Sequence, residues 1–315
     1  MPTPEVRRAP GARKVKRESE IECAIPAVDS GVGRHLQLAR FNARRLAPSV
    51  PVPDWREGLR RDLEFHAIEL EFIERDRAQV VAAAGLAPEE PAAFAAWFAG
   101  LRETGPGQGD PLFPYLAEHA TRDQMNWFLT QEIAGEAGFD DLVALTQVKL
   151  PMLAKLELAR NYWDQMGRGQ ARAMHGRMLD ALAAALHLVP IPQETVPESL
   201  ALSNLMLGLA INRCYTYQSL GALGVIELTA PDRASMVNAG LKRLGINGRT
   251  RQYFALHATL DIKHAEAWNR EVLTTLVAEQ PDLARPIAEG ALLRLRAGAR
   301  CFERYRHELG LNRLH

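Results

Sequence analysis

The sequence has few cysteines, no long apolar run and no excess of either charge. Its three cysteines, Cys23, Cys214 and Cys301, are too few and too scattered for a disulfide framework or a thiolate zinc site. No run of about eighteen apolar residues occurs, so no membrane span is expected. Lys and Arg total 38, as do Asp and Glu, which argues against a dedicated nucleic-acid-binding protein. We therefore expect a protein of the reducing cytoplasm with neither nucleic-acid nor membrane partners.

The N-terminus is the one segment with a local charge bias. Lysine and arginine crowd the first seventeen residues, and glutamates follow directly. No apolar segment comes after them as it would in a secretory signal. A disordered basic tail over residues 1–34 is the prediction.

Apolar residues make up 47% of the chain, which is enough for a substantial core. Helical periodicity extends through nearly everything after residue 35, while strand signals are almost absent. A Gly- and Pro-rich loop at 105–111 divides the pattern. We predict an all-α fold, in which an N-terminal helical extension over 35–115 precedes a bundle of about seven helices over 116–315.

Two features of the bundle pattern set helix boundaries. Pro231 follows a long apolar segment, so we expect a separate helix over 232–244 after it. The longest uninterrupted helical pattern covers 249–280. The apolar segment before Pro231 and the pattern over 249–280 both carry candidate site residues.

The segment 253–264 contains the most informative motif, His-x3-Asp-x2-His. On a helix, residues four and seven positions after a given residue lie within about 40° of its direction, so His257, Asp261 and His264 form one stripe. Apolar neighbours such as Leu256 and Leu260 direct this stripe inward. Buried imidazole and carboxyl groups are costly unless something satisfies them, and a divalent iron, manganese or zinc ion would do so. The alternative is a pair of core histidines hydrogen-bonded to Asp261.

Three further residues on other helices could complete such a site. Glu227 closes an apolar run, where a carboxylate is expensive without a partner. His175 lies on a helix with an apolar face, and Glu132 follows a strongly apolar segment. Taken singly, Glu227 is equally typical of a helix end, His175 of a core histidine and Glu132 of a solvated helix face. Metal sites in bundles are nevertheless built from facing helices in this manner.

Together, these elements resemble the haem-oxygenase-like diiron oxidases and oxygenases, a family of iron-containing redox enzymes. The resemblance covers roughly residues 120–308. It implies a haem-oxygenase-like fold and a metal site without haem, which holds two Fe(II) ions. It also implies O2 as co-substrate and an external electron donor. The implied reaction is N-oxygenation, oxidative cleavage or desaturation of a small molecule such as an amino acid or amine. The implied iron ligands are Glu132, His175, Glu227, His257, Asp261 and His264.

One position departs from the family pattern. Relatives generally carry a further carboxylate ahead of the first histidine, where this chain has Gln165. Asp164 is adjacent, but neighbouring helical residues point about 100° apart. The sequence therefore leaves open whether one or two irons bind. Ligand histidines usually need an acceptor that fixes their tautomer, and Glu136 and Asn161 are candidates for this role.

The substrate is the least constrained feature at this level. Several arginines in or beside the predicted core helices are candidates to bind a substrate carboxylate, although each is equally typical of a solvated helix face. These candidates are Arg160, Arg172, Arg213, Arg249 and Arg251.

Three alternatives belong to other functional classes. A thiaminase-like hydrolase would need a cysteine nucleophile, for which Cys214 is the candidate. A haem oxygenase would need a proximal histidine, for which His66 or His119 could serve. A non-catalytic helical interaction protein would make the His-Asp-His stripe a coincidence. The N-terminal helices, with Trp55 and Trp97, could cap the bundle or form a homodimer contact.

Overall fold

A computed structural model describes residues 31–51 and 53–311. Within these ranges every regular element is helical, which confirms the all-α class. The part of the predicted tail at 1–30 lies outside the described residues, and residues 31–34 already belong to the first helix. The N-terminal helices are α1 Gly31–Leu46, α2 Trp55–Ala78, α3 Val81–Ala84, α4 Pro91–Thr104 and α5 Leu112–Glu118.

Nine α-helices follow in the described part of the bundle, where about seven were expected. A π-helical turn, Trp268–Thr274, breaks the long pattern predicted over 249–280 and accounts for one extra helix. The nine are α6 Arg122–Ala134, α7 Phe139–Thr146, α8 Met152–Gln165, α9 His175–Leu186, α10 Pro197–Ile211, α11 Thr216–Arg243, α12 Gln252–Ala267, α13 Thr275–Glu279 and α14 Ala284–Glu308. Among the described residues, no helix combines the length and apolar character needed to cross a bilayer.

The predicted helix boundary at Pro231 is wrong. Helix α11 continues through this proline to Arg243. Proline lacks the backbone N–H that would bond the carbonyl four residues earlier, which here belongs to Glu227. Nearby, the Thr229 hydroxyl donates to the Val225 carbonyl at 2.7 Å. Packing on both sides of the proline outweighs the lost bond, since Thr229 and Ala234 are both buried.

Helices α11 and α14 approach so closely that their backbones touch. A β-carbon added at Gly290 would lie 1.8 Å from the Gln218 carbonyl oxygen, and one added at Gly221 would lie 1.9 Å from that of Ile287. Only glycine fits at these two positions. This crossing places α14 along the wall of the central cavity.

The N-terminal helices pack against the bundle through buried polar groups. Glu69 of α2 is fully buried and accepts a hydrogen bond from Arg45 at 2.5 Å and another from Asn212 at 2.9 Å. Asn42 of α1 donates to Asn204 of α10 at 2.8 Å. Removing one partner of a buried charged pair is strongly destabilising, so these contacts fix the extension in place.

Buried His35 on α1 makes stability depend on pH. Burial lowers its pKa to about 4, with Arg75 adding to the effect, from 6.5 in the unfolded chain. Below pH 6.5 the unfolded chain therefore binds a proton that the folded protein does not, and stability falls as the pH drops toward 4. Between pH 7 and 4.5, we expect the free energy of unfolding of His35→Phe to fall by about 2 kcal/mol less than that of the wild type. Urea unfolding at both pH values measures this, and equal losses in the two proteins would contradict it.

Candidate metal centre

A cavity of about 220 Å³ lies between α6, α9, α11, α12 and α14. Much of its wall is apolar and includes Phe113, Phe128 and Leu179. Acidic and imidazole side chains face it from α11 and α12, among them Glu227 and His257. The cavity therefore has both a polar and an apolar wall, and a small molecule would fit between them.

Glu227, Asp261 and His264 form the most compact group of possible metal ligands. One ligand atom from each lies within 4.8 Å of the others, and all three residues are buried. Glu227 comes from α11, whereas the other two stand one turn apart on α12. Burial raises the pKa of Glu227, because an isolated carboxylate in this surrounding is costly.

His264 also contacts Asp164 of α8, which was weighed as a substitute for the carboxylate missing at Gln165. Its Nε2 lies 3.1 Å from Asp164 Oδ2, and its Nδ1 lies 3.5 Å from Glu227 Oε2. Burial alone would lower the pKa of His264, but these carboxylates raise it to about 9. The adjacent Gln165 lines the cavity, whereas the Asp164 carboxylate contacts His264.

His257 and His175 extend the group across the cavity. His257 Nδ1 lies 2.9 Å from Asp261 Oδ2, and its Nε2 is buried without a hydrogen-bond partner. The ring centroid of His175 lies 4.7 Å from that of His257, and His175 Nδ1 is likewise buried and unpartnered. Burial, with His257 adding, lowers the pKa of His175 to about 3. His175 is therefore a neutral imidazole, the form that binds metals.

Asn161 of α8 holds the Glu227 carboxylate in position. Its Nδ2 donates to Glu227 Oε1 at 2.6 Å, so its observed partner is a carboxylate and not the ligand histidine that was predicted. Such outer contacts orient ligands and tune their affinity. Glu136, the other candidate for this role, lines the cavity.

The donor set fits a metal. Three carboxylates and three imidazoles from α8, α9, α11 and α12 face one buried region, and imidazole nitrogens there have no partner. Buried polar atoms without partners are rare in proteins and call for an explanation. Mixed carboxylate and imidazole donors suit iron and related divalent ions.

Glu132, like His175 and His257, is a predicted ligand outside the compact group. Its carboxylate lines the cavity and accepts a hydrogen bond from the Tyr305 hydroxyl at 2.9 Å. Burial raises its pKa. Its assignment as an iron ligand stays a prediction, whereas Asp164 lies directly against His264.

The five arginines considered as candidates to bind a substrate carboxylate are not among the residues that line this cavity. Arg160 pairs with Glu157, Arg213 donates to backbone carbonyls of 145, 146 and 148, and Arg251 donates to Asn238. Arg233 and Arg294 line the cavity instead. The signal for Arg294 was its place between Leu293 and Leu295 in a buried run.

The residues of the alternative functions lie away from the cavity. Cys214 is exposed and does not line it. His119 is exposed beside Glu118, and His66 lies 3.7 Å from Glu69 on α2. Neither histidine lines the cavity.

Comparisons with known proteins give one family match. Residues 126–299, more than half of the chain, match the family model described as iron-containing redox enzyme. Two solved structures are similar. One is a domain of unknown function with a heme oxygenase-like fold from Shewanella denitrificans OS217, at 16% identity and a TM-score of 0.47, covering 69% of this chain and 90% of that one. The other is a CadD-like protein of unknown function from Nostoc punctiforme PCC 73102, at 18% identity and a TM-score of 0.48, covering 76% and 98%. No curated protein matches the chain.

Proposed function

Because the chain belongs to the family of iron-containing redox enzymes, we propose that it is a non-haem iron oxidase or oxygenase that uses O2 to oxidise a small metabolite such as an amino acid or amine. The family match confirms the resemblance drawn from the sequence and the haem-oxygenase-like fold class. The observation that carries the proposal is the group of Glu227, Asp261 and His264, whose ligand atoms lie within 4.8 Å in the protein interior.

We propose that two Fe(II) ions bind here. Their ligands would be Asp164, His175, Glu227, His257, Asp261 and His264, which differ from the predicted set by Asp164 in place of Glu132. Three carboxylates offset most of the charge of two divalent ions, and imidazoles complete the coordination without adding charge. When bound, the iron supplies the redox chemistry with dioxygen.

The chain's own groups orient these ligands and shape the cavity. Asp261 lies 2.9 Å from His257 Nδ1, which leaves His257 Nε2 facing the cavity side as a donor atom. Asn161 fixes one oxygen of Glu227 and leaves the second oxygen near His264. Apolar residues such as Phe128 and Leu179 line the remaining wall and limit water at the site.

Iron loading tests the proposal. We expect the full-length protein to bind about two equivalents of Fe(II) anaerobically, to give a Mössbauer spectrum of two irons, and to consume O2 with a reductant and an amino acid, amine or fatty acid. Cys214→Ala is the matched control and should retain activity, whereas a thiol hydrolase would lose it. The proposal would be overturned if the protein binds no iron, or if no substrate increases the rate of O2 consumption. A Soret shift on adding haem would favour a haem oxygenase.

The proposed reaction involves three partners besides iron. These are the small-molecule substrate, O2 and an external electron donor. A homodimer contact through the N-terminal helices remains a prediction, which sedimentation of the purified protein would check.

A further inference from the structure

Two partly buried arginines line the cavity that contains the proposed metal ligands. Arg233 extends from α11 and Arg294 from α14. Arg233 packs against two aromatic rings, with its guanidinium carbon 5.9 Å from the Phe113 centroid and 5.4 Å from that of Phe302. Its Nη2 donates to the Thr229 hydroxyl at 2.6 Å. These contacts hold one face of the guanidinium and leave the other nitrogens available to a ligand.

Arg294 makes no hydrogen bond with any described residue, and its Nη1 is buried without a partner. The guanidinium lies over Gly298, where an added β-carbon would come within 2.7 Å of Nη1. A glycine one turn along α14 therefore makes room for this side chain inside the protein. Burying a guanidinium without hydrogen bonds is costly, so a group that restores them would bind favourably.

The two cations have no direct counterion among the described residues. Among residues 31–51 and 53–311, neither guanidinium forms an ion pair with a carboxylate within 4.0 Å. Glu132 acts on both arginines through its charge alone, and its carboxylate accepts a hydrogen bond from Tyr305. Burial, with the charge of Arg294 adding, lowers the pKa of Arg233 to about 9. Arg294 therefore acts on Arg233 as a neighbouring like charge, and an anion bound beside them would relieve both the repulsion and the lost hydration.

We propose that Arg233 and Arg294 form the subsite that binds the carboxylate group of the substrate. Planar guanidinium groups pair with carboxylates through parallel N–H···O bonds. On α11, Arg233 follows Glu227 by six residues, which is about 9 Å along the helix axis. The carboxylate is thus held away from the metal ligands, and the oxidised part of the substrate faces them. The carboxylate subsite does not depend on the proposed function, whereas the position of the oxidised part rests on it.

The cavity itself limits the ligand to a small monoanion. Its volume of about 220 Å³ lies below the roughly 300–1,000 Å³ of pockets that bind drug-sized ligands. Glu132 and Glu136 also line it, and these carboxyl groups disfavour a dianion such as phosphate. The apolar wall between the two ends, with Phe128 and Ile226, suits a short hydrocarbon chain.

Calorimetric titration of the full-length protein with hexanoate tests the subsite. Hexanamide serves as the neutral isostere and hexylamine as the cation, and each titration is done with metal-free and anaerobic Fe(II)-loaded protein. We expect hexanoate to bind both forms more tightly than hexanamide. Arg294→Gln and Arg233→Gln should each weaken hexanoate binding by about tenfold or more, because each removes a charged hydrogen-bond donor. Arg296→Gln, an exposed change two residues along α14, is the control and should leave binding unchanged.

Thermal unfolding of the metal-free variants separates a binding role from a structural one. If Arg294 is present for a ligand, Arg294→Gln removes an unpaired buried charge and should raise the melting temperature. A structural arginine would give a lower one. Arg294→Lys retains the charge without the paired donors and should bind hexanoate at an intermediate affinity, which covers failure of the glutamine variant to fold.

The proposal would be overturned if the wild type does not bind hexanoate, or if both glutamine variants bind it as tightly as the wild type. It would also be overturned if hexanoate binding requires Fe(II), because the carboxylate would then be bound to the metal. Tighter binding of hexylamine than of hexanoate would likewise assign the cavity to cations. If the protein binds no iron but hexanoate binding depends on both arginines, the proposed function fails while the subsite stands.

Discussion

Replacing Asp261 by asparagine is expected to reduce the iron bound by the purified protein to less than about one-tenth of the wild-type content. The Asp261 carboxylate belongs to the compact ligand group and also lies 2.9 Å from His257 Nδ1. Asparagine keeps the shape but removes the charge, so one ligand is lost and the orientation of another is altered. Elemental analysis of anaerobically loaded protein measures the effect.

The matched control for this change is Glu266→Gln on the same helix. Glu266 is exposed, so its loss should leave the iron content at the wild-type level. Asn161→Ala should give an intermediate result, with iron affinity about tenfold weaker, because it removes the hydrogen bond to Glu227 without removing a ligand. Full iron occupancy in Asp261→Asn would show that this carboxylate is no ligand.

Gly290→Ala is expected to destabilise the fold by about 3 kcal/mol. The added methyl group would lie 1.8 Å from the Gln218 carbonyl oxygen, which belongs to the backbone of α11 and cannot turn aside. Separating the helices would also strain the hydrogen bonds that Glu289 accepts from Arg77 at 2.7 Å and Gln218 at 3.1 Å. A loss of this size lowers the melting temperature by roughly 6 to 10 °C, which calorimetry would detect.

Gly58→Ala provides the contrast for this prediction. Gly58 lies in α2, and an added β-carbon there would meet nothing within 4 Å. Alanine at such a site should stabilise the helix by about 0.5 to 1 kcal/mol, because glycine loses more backbone freedom on folding. Equal effects at the two positions would mean that α11 and α14 do not touch as described.

The His-Asp-His stripe could be identified from the sequence because it depends only on helix geometry. Four- and seven-residue offsets place His257, Asp261 and His264 on one face whatever surrounds them, and the structure has all three on α12. Glu227 was recognisable for a related reason, as a carboxylate within an apolar run. Its burial at 2% exposure agrees with that reasoning.

What the sequence could not supply is the pairing between helices. Asp164 and Glu132 are both acidic residues on core helices, and nothing local indicates which of them faces His264. Only the arrangement of α8 against α12 brings Asp164 to 3.1 Å from His264 Nε2, while Glu132 meets Tyr305. The cavity arginines escaped detection for the same reason, because lining a shared space is a property of several helices at once.

Pro231 shows how packing can override a local rule. Proline favours a helix break by about 3 kcal/mol over alanine, yet α11 runs through it as one rod of 28 residues. The residues on either side are held by α12 and α14, and a break there would expose apolar side chains such as Val237. The cost of one missing hydrogen bond is smaller than the cost of that exposure.

The π-helical turn Trp268–Thr274 separates α12, which carries the three proposed ligands, from α13, which packs into the core. Its rings close between residues five apart and so contain one residue more than those of an α-helix, and each residue advances the angular phase by about 100°. The turn therefore offsets the buried Leu276 and Val277 that follow it by about 100° from their phase in an uninterrupted α-helix. Trp268 and Asn269 anchor the turn through the carbonyls of Leu220 and Ala95. A single-residue insertion after this anchor would rotate the apolar residues of α13 by about 100°, whereas the three ligands before the anchor would keep their alignment.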